Sequence, residues 1–311
     1  MKTNISLILI LCLLLGACKN GNASSQSKSE TPQDTIKAIK MPAIPQMMTA
    51  PEQRADFLAK HYWDNVNFAD TNYIHHPEVT EQAWADYCDL LNHVPLETAQ
   101  QAMRNVIDRT NVDKKVFTYI TDLADKYLYD PNSPMRNEES YIPVLEAMIA
   151  SPVLNETEKI RPQARLKLAQ KNRIGTKALN FTYTLASGAQ GSLYQLKAEY
   201  LLLFINNPGC QACTETIEGL KNAPIINQLL QEKKLALLSI YPDEELDEWK
   251  KHLSEFPNEW INGYDKKFTI KEEQVYDLKA IPTLYLLDKD KTVLLKDATA
   301  PAIEAYLMQH Q

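Results

Sequence analysis

The chain has 311 residues and a formal net charge of −7, with 44% apolar and 23% charged residues. By length it contains about two domains, and its composition is that of globular domains with ordinary apolar cores. The acidic balance provides no basic surface for nucleic acid, and the eight glycines form neither of the Gly-rich patterns that hold nucleotide phosphates.

The N-terminal residues have the pattern of an export signal, with a positive charge at Lys2, an apolar stretch over residues 7–15 and small residues before Cys18. The stretch is too short for a membrane-spanning helix, which needs roughly 20 residues. The four residues ending at Cys18 resemble the bacterial lipobox, whose cysteine is lipidated and becomes the new N-terminus. This resemblance implies a lipoprotein signal peptide over residues 1–17, a lipid anchor at Cys18, and a mature chain facing the periplasm in the bacterial cell envelope. Lys19 stands where inner-membrane lipoproteins usually carry Asp, which favours the outer membrane over the inner.

Residues 18–50 are rich in Asn, Ser, Lys, Gln and Pro and show no apolar period, which predicts a flexible linker. Residues 51–172 repeat apolar side chains every three to four positions, which predicts an all-α domain of about five helices. No residue in this domain points to its role. Helix breaks are predicted near residues 72–77, 95, 110–111, 131–134 and 151–152.

The histidines and the lone cysteine of this half are interpreted as structural or solvated. His75 and His76 are adjacent in a predicted loop, so their side chains do not converge on one metal ion. Cys88 shares a predicted helix face with Trp84 and Tyr87, which is the pattern of a buried core. Because Cys12 leaves with the signal peptide and Cys18 carries the lipid, Cys210 and Cys213 are left for redox chemistry.

After residue 173 the pattern changes to alternating strands and helices, which predicts an α/β domain over residues 173–311. These elements are expected to form one central sheet flanked by helices. Strands are predicted at residues 178–185, 200–205, 235–241, 283–288 and 292–296, with a turn at 188–191. One helix is predicted to begin at the two cysteines, and two more are predicted over residues 243–256 and 300–309.

The segment Cys210-Gln211-Ala212-Cys213 places two cysteines at a predicted helix start. Two intervening residues bring both sulfurs onto one helical turn, near enough to bond. The helix start offers free N–H groups and a positive dipole end, which stabilise a thiolate at Cys210. We therefore expect Cys210 to attack a substrate disulfide and Cys213 to resolve the mixed disulfide.

The strand, the Pro-Gly turn, this cysteine pair and the later Ala280-Ile281-Pro282-Thr283 resemble the thioredoxin superfamily in order and spacing. Residues 175–181 resemble the first hairpin of the TlpA-like exported branch. The resemblance implies a thioredoxin-like fold, a cis Pro282 beside the dithiol, and a backbone contact between Ile281 and the substrate. It further implies an oxidoreductase that reduces protein disulfides, with electrons from an upstream dithiol donor and with no cofactor or metal.

Three positions depart from this family pattern. Gly209 replaces a common Trp, Phe204 occupies the position of a buried acid in thioredoxin, and Ile217 replaces a Glu of several TlpA-like reductases. The proton acceptor for Cys213 is therefore left unassigned. Glu215 and Glu218 lie on the same predicted helix and are interpreted as surface carboxylates.

Three other functions are alternatives to a reductase. A peroxiredoxin carries Thr or Ser three residues before its reactive cysteine, where this chain has Asn207. A structural zinc site needs four ligands, and the sequence offers no second pair of suitable spacing. A binding module that keeps the fold without turnover stays open, although the intact dithiol argues against it. The direction of electron flow, as reductase, oxidase or isomerase, also stays open.

Overall fold

The computed structural model describes residues 38–310. The predicted signal peptide, Cys12 and the predicted lipid anchor Cys18 lie outside the described residues. Within this range, no helix is both long enough and apolar enough to cross a membrane. The described residues form a helical domain followed by a mixed α/β domain.

The N-terminal domain is all-α, as predicted, with six helices among residues 38–172 where about five were expected. Every predicted break falls between helices or at the first residue of one. Side chains cap the starts of helices in this domain: Asp113 accepts hydrogen bonds from the backbone N–H groups of Lys115 and Val116, and Asn155 forms a capping box with Glu158. The helices are α1 Pro51–His61, α2 Pro77–Leu91, α3 Leu96–Arg109, α4 Lys114–Ala124, α5 Glu138–Ala150 and α6 Glu156–Ala169.

Aromatic side chains from α2 and from the turn after α1 build much of the core of this domain. Trp63 and Tyr87 meet edge to face with ring centroids 5.6 Å apart, and Trp84 is fully buried beside them. Cys88 is 3% exposed on the same face of α2, which confirms the predicted core position of this cysteine. Burial raises the pKa of its thiol to about 12, so Cys88 stays a neutral, inert group.

Residues 38–50 differ from the prediction of a flexible linker. The side chain of Ile39 packs against the core of the helical domain, and the Asn65 amide donates a hydrogen bond of 2.9 Å to the backbone carbonyl of Lys40. A half-buried apolar side chain packed on the core and a backbone hydrogen bond together hold this segment against the helical domain. This part of the predicted linker is therefore an extension of the helical domain.

The C-terminal domain contains, among the described residues, a seven-stranded sheet in the order β2-β1-β5-β4-β3-β6-β7. The central strand β3 pairs in parallel with β4 and antiparallel with β6. The strands are β1 Thr182–Leu185, β2 Gln190–Ser192, β3 Tyr200–Ile205, β4 Leu235–Tyr241, β5 Ile261–Tyr264, β6 Thr283–Asp288 and β7 Val293–Lys296. The helices are α7 Gln211–Lys221, α8 Pro224–Gln231, α9 Leu246–His252, α10 Thr269–Glu272 and α11 Ala300–Gln309.

Both faces of the sheet are covered by apolar cores. Successive side chains of β3 point to opposite faces of the sheet and so reach both cores. Leu202 and Phe204 join the core under α7, α8 and α11, whereas Leu201, Leu203 and Ile205 join the core on the other face. This explains the uninterrupted apolar run of β3, which is typical of a strand covered on both faces. The predicted central sheet flanked by helices is confirmed.

Candidate functional site

Cys210 lies where the chain leaves β3 and begins α7. It is the N-terminal cap residue of α7, and its sulfur accepts a hydrogen bond of 3.3 Å from the backbone N–H of Cys213. Gly209 just before it has φ of +69°, a conformation that glycine adopts without steric cost. The turn therefore requires glycine at one of the positions that depart from the family pattern. It leaves Cys210 half-buried and open to a reactant.

Cys213 is one helical turn further in and is only 2% exposed. Burial raises the pKa of its thiol to about 12, a hydrogen bond with the Cys210 side chain adds to this shift, and one with the Asn207 backbone opposes it. Cys213 thus stays protonated at neutral pH while Cys210 is accessible. This asymmetry fits an attacking thiol at Cys210 and a resolving thiol at Cys213.

The segment before β6 meets this cysteine pair. The Ile281–Pro282 peptide bond is cis, as expected, and the backbone oxygen of Ile281 lies 3.8 Å from the Cys210 sulfur. The sheet brings the two segments together, because Ile205 at the end of β3 is the register partner of Thr283 at the start of β6. Residues that follow β3 and residues that precede β6 must therefore lie side by side.

At the other two positions that depart from the family pattern, Phe204 and Ile217, the side chains pack in an apolar core. Phe204 meets Trp260 edge to face with ring centroids 6.3 Å apart, and Ile217 is buried in the same core. Glu215 and Glu218 are exposed on α7, where they bond to Gln211 and Lys221 along the helix. Both carboxylates are thus paired on the outer surface of α7, in agreement with their interpretation as surface residues.

A buried cluster of charges joins the helical domain to the segment before Pro282. Lys279 Nζ lies 3.1 Å from carboxylate oxygens of Asp277 and Asp297, and 3.2 Å from Glu138 Oε1 at the start of α5. The other oxygen of Glu138 binds Lys296 Nζ. Burial lowers the pKa of Lys279, but the three carboxylates outweigh this effect and hold the pKa above its ordinary value. One carboxylate of the helical domain therefore forms ion pairs with two lysines of the α/β domain.

The same segment is also bound along its backbone by the residues that follow α6. Lys171 Nζ donates a hydrogen bond of 2.6 Å to the carbonyl of Gln274, and the Asn172 amide donates one of 2.7 Å to the carbonyl of Val275. Asn172 is itself buried. The helical domain thus holds the segment from residue 274 to 279 by two backbone hydrogen bonds and by the ion pair of Lys279.

A cleft of about 480 Å³ opens between the two domains beside this segment. Tyr129 and Leu168 line it from the helical domain, and Leu278, Lys279 and Ile281 line it from the α/β domain. Ile281 was expected at the site from the family resemblance, whereas Leu168 was missed, because it lies 113 positions away and nothing local marks it as a cleft residue. Ile281 links the cleft to the cysteine pair, because its backbone oxygen lies 3.8 Å from the Cys210 sulfur.

A second cleft of about 340 Å³ continues from the first. The two clefts share Asp243 and Lys271, which form an ion pair of 2.6 Å, and the second reaches Asn207 and Pro208 just before the cysteine pair. The Asn207 amide donates a hydrogen bond of 3.2 Å to Asp243. The first cleft therefore includes Ile281, which contacts Cys210, and the second ends at Pro208, close to Cys210 in the chain.

Side chains of the types that ligate metals are not clustered in the described part of the chain. Within residues 38–310, no group of three or more His, Cys, Asp or Glu side chains is arranged to hold a metal ion. His76 instead bonds to Glu78 at 3.1 Å, and His75 is exposed at the end of a short helical turn.

Comparisons with known proteins agree with this architecture. A family described as a domain of unknown function (DUF5106) matches residues 17–172, and one described as thioredoxin-like matches residues 198–293. A thioredoxin-like protein from Bacteroides caccae ATCC 43185 of known crystal structure is 83% identical, with a TM-score of 0.87 over 89% of this chain and 100% of that chain. The C-terminal domain of an uncharacterized protein from Bacteroides fragilis NCTC 9343 is 69% identical and covers 44% of this chain and 98% of that chain, with a TM-score of 0.44. No curated protein matches the chain. This chain belongs to the thioredoxin-like family, with an all-helical domain ahead of its thioredoxin-like domain.

Proposed function

We propose that this protein is a thiol–disulfide oxidoreductase that reduces disulfides of other proteins through Cys210 and Cys213. The observation that carries the proposal is the contrast between the two sulfurs: Cys210 is accessible and bonded to the Cys213 N–H at the start of α7, whereas Cys213 is buried. The backbone oxygen of Ile281 lies 3.8 Å from the Cys210 sulfur, and this contact supports the same chemistry.

The reaction proceeds by two exchanges. The Cys210 thiolate attacks one sulfur of a substrate disulfide, the substrate S–S bond breaks, and the departing sulfur leaves as a thiolate that takes up a proton. Cys213 then loses its proton and attacks the Cys210 sulfur of the mixed disulfide, which releases the second substrate thiolate. The substrate gains two electrons and the protein keeps a Cys210–Cys213 disulfide. An external dithiol donor reduces this disulfide by the same exchange.

The test is the reduction of insulin disulfides with dithiothreitol as the electron donor. Wild-type protein should accelerate insulin reduction, and Cys210→Ser should bring the rate down to that without protein. Cys88→Ala is the matched control, because it removes a thiol from the core of the helical domain and should keep the activity. A Cys210→Ser variant that keeps the wild-type rate would exclude the dithiol mechanism.

We place this activity in the bacterial cell envelope, with the protein anchored by lipid at Cys18 and favouring the outer membrane. The support is the sequence pattern ending at Cys18 and the residue Lys19 after it. Labelled fatty acid should enter the wild-type chain but not Cys18→Ala, which should become soluble in the envelope fraction. An unlabelled wild-type chain would contradict the anchor.

A further inference from the structure

Two half-buried apolar side chains, one from each domain, line the interdomain cleft. Leu168 lies in the last turn of α6, and Ile281 directly precedes Pro282. Within residues 38–310, the apolar cores include the nearby Leu166 and Leu278 as packed neighbours but neither Leu168 nor Ile281. These two side chains therefore leave apolar surface open to the cleft.

The cleft lies beside the reacting atoms. The carbonyl oxygen of Ile281, a residue that lines the cleft, lies 3.8 Å from the Cys210 sulfur, so a chain bound at Cys210 passes close to the cleft. A volume of about 480 Å³ is within the range of roughly 300–1,000 Å³ of sites that enclose a ligand. A polypeptide rises by about 3.3–3.6 Å per residue when extended, so residues next to the substrate cysteine reach into this space.

The charges on the cleft walls are already paired. Lys271 binds Asp243 at 2.6 Å, and Lys279 is surrounded by three carboxylates with its ammonium 5.4 Å from the centre of the Tyr129 ring. A charged substrate side chain would lose its water without gaining a free partner. An apolar side chain gains the exposed surfaces of Leu168 and Ile281.

We infer that the cleft binds the segment of a substrate protein that flanks the disulfide, and that it selects an apolar side chain between Leu168 and Ile281. This inference rests on the proposed function and specifies its substrate class as disulfides flanked by apolar residues. It also gives the helical domain a role, because α6 supplies one wall of the specificity site.

The test uses synthetic peptides with one internal disulfide, in which a single Leu is placed in turn at each position flanking a cysteine and Ser fills the others. For at least one position, wild-type protein should show a kcat/KM for the Leu peptide about tenfold above that for the all-Ser peptide. Leu168→Gln should lower this ratio to about one to two, and Leu168→Met should keep it. Because the ratio is measured within one protein sample, partial loss of folded protein cancels.

Ile160→Gln is the control variant, since Ile160 is 61% exposed on the same helix and should keep the wild-type preference. An equal kcat/KM for all peptides in the wild type would overturn the inference, as would a preference that survives Leu168→Gln. The proposed function fails separately: a wild-type protein that reduces none of the peptides, and not insulin, would contradict the oxidoreductase itself.

Discussion

Replacing Glu138 by Gln removes the negative charge that joins the two domains and keeps the shape of the side chain. Glu138 is 12% exposed, and its two partners Lys279 and Lys296 are 8% and 7% exposed. Removing one partner of a buried ion pair typically costs about 3–5 kcal/mol, because a charge is left buried without compensation. Here both lysines lose the same carboxylate.

The remaining contacts reduce this cost. Lys279 keeps Asp277 and Asp297 at 3.1 Å, and Lys296 keeps the backbone carbonyl of Lys171 at 2.8 Å. We therefore expect Glu138→Gln to lose stability at the lower end of the range, about 3 kcal/mol. With a urea dependence of about 2 kcal/mol per molar, this equals a midpoint shift of roughly 1.5 M.

Urea unfolding followed by tryptophan fluorescence at pH 7 measures this shift, with Trp63 and Trp84 reporting on the helical domain and Trp249 and Trp260 on the other. Asp247→Asn is the control, because Asp247 is 95% exposed and its pair with a surface lysine spans 3.5 Å, so the midpoint should not move. A loss below about 1 kcal/mol for Glu138→Gln would refute the central role of this carboxylate.

Two further predictions follow from the buried thiols. When Cys210 forms a mixed disulfide, its charge and hydrogen bond no longer raise the pKa of Cys213, but burial still does. The lifetime of the mixed disulfide, measured by acid quench and mass spectrometry, should therefore shorten as the pH rises from about 6 to 9. A constant lifetime would contradict this. Burial raises the pKa of the Cys88 thiol in the folded state to about 12 from 9.0. The contribution of the neutral thiol to the free energy of unfolding is therefore fully present below about pH 9 and is lost as the pH rises towards 12. Cys88→Ala should therefore cost about 1–3 kcal/mol in chemical denaturation at pH 7 and less at pH 11, and an equal cost at both pH values would show that Cys88 is not buried as a neutral thiol.

Elements with a strong local pattern were predictable. Strand β3 was found at its true ends because its apolar run is bounded by a Pro-Gly turn, and Cys88 was placed in the core from the spacing of Trp84 and Tyr87. The juxtaposition of the cysteine pair with Pro282 was expected from the family resemblance and is produced in the fold by the pairing of β3 with β6.

Elements without such a pattern were not found. Strand β5 has the sequence Ile-Asn-Gly-Tyr, too short and too polar for a strand signal, and it is held by β4 and β1 on its two sides. The strand predicted over residues 178–185 begins only at Thr182, and the helix predicted over residues 243–256 shortens to α9. Ends of elements are set by tertiary contacts that the local sequence does not contain.

The junction of the two domains was the largest gap. Glu138 and Lys279 are 141 residues apart and look like ordinary surface residues in the sequence. Their burial becomes visible only when the helical domain is packed on the segment before Pro282. Long-range ion pairs of this kind have no periodicity or motif, so local patterns did not reveal the role of α5 and α6 at the site.

The most direct test of the dithiol mechanism is to trap the mixed disulfide. Cys213→Ser protein incubated with an internally disulfide-bonded peptide should accumulate a covalent adduct, and peptide mapping by mass spectrometry should place it on Cys210. Cys210→Ser should form no adduct, because Cys213 is 2% exposed. An adduct on Cys213 in the Cys210→Ser protein, or no adduct on Cys210 in the Cys213→Ser protein, would contradict the assigned roles.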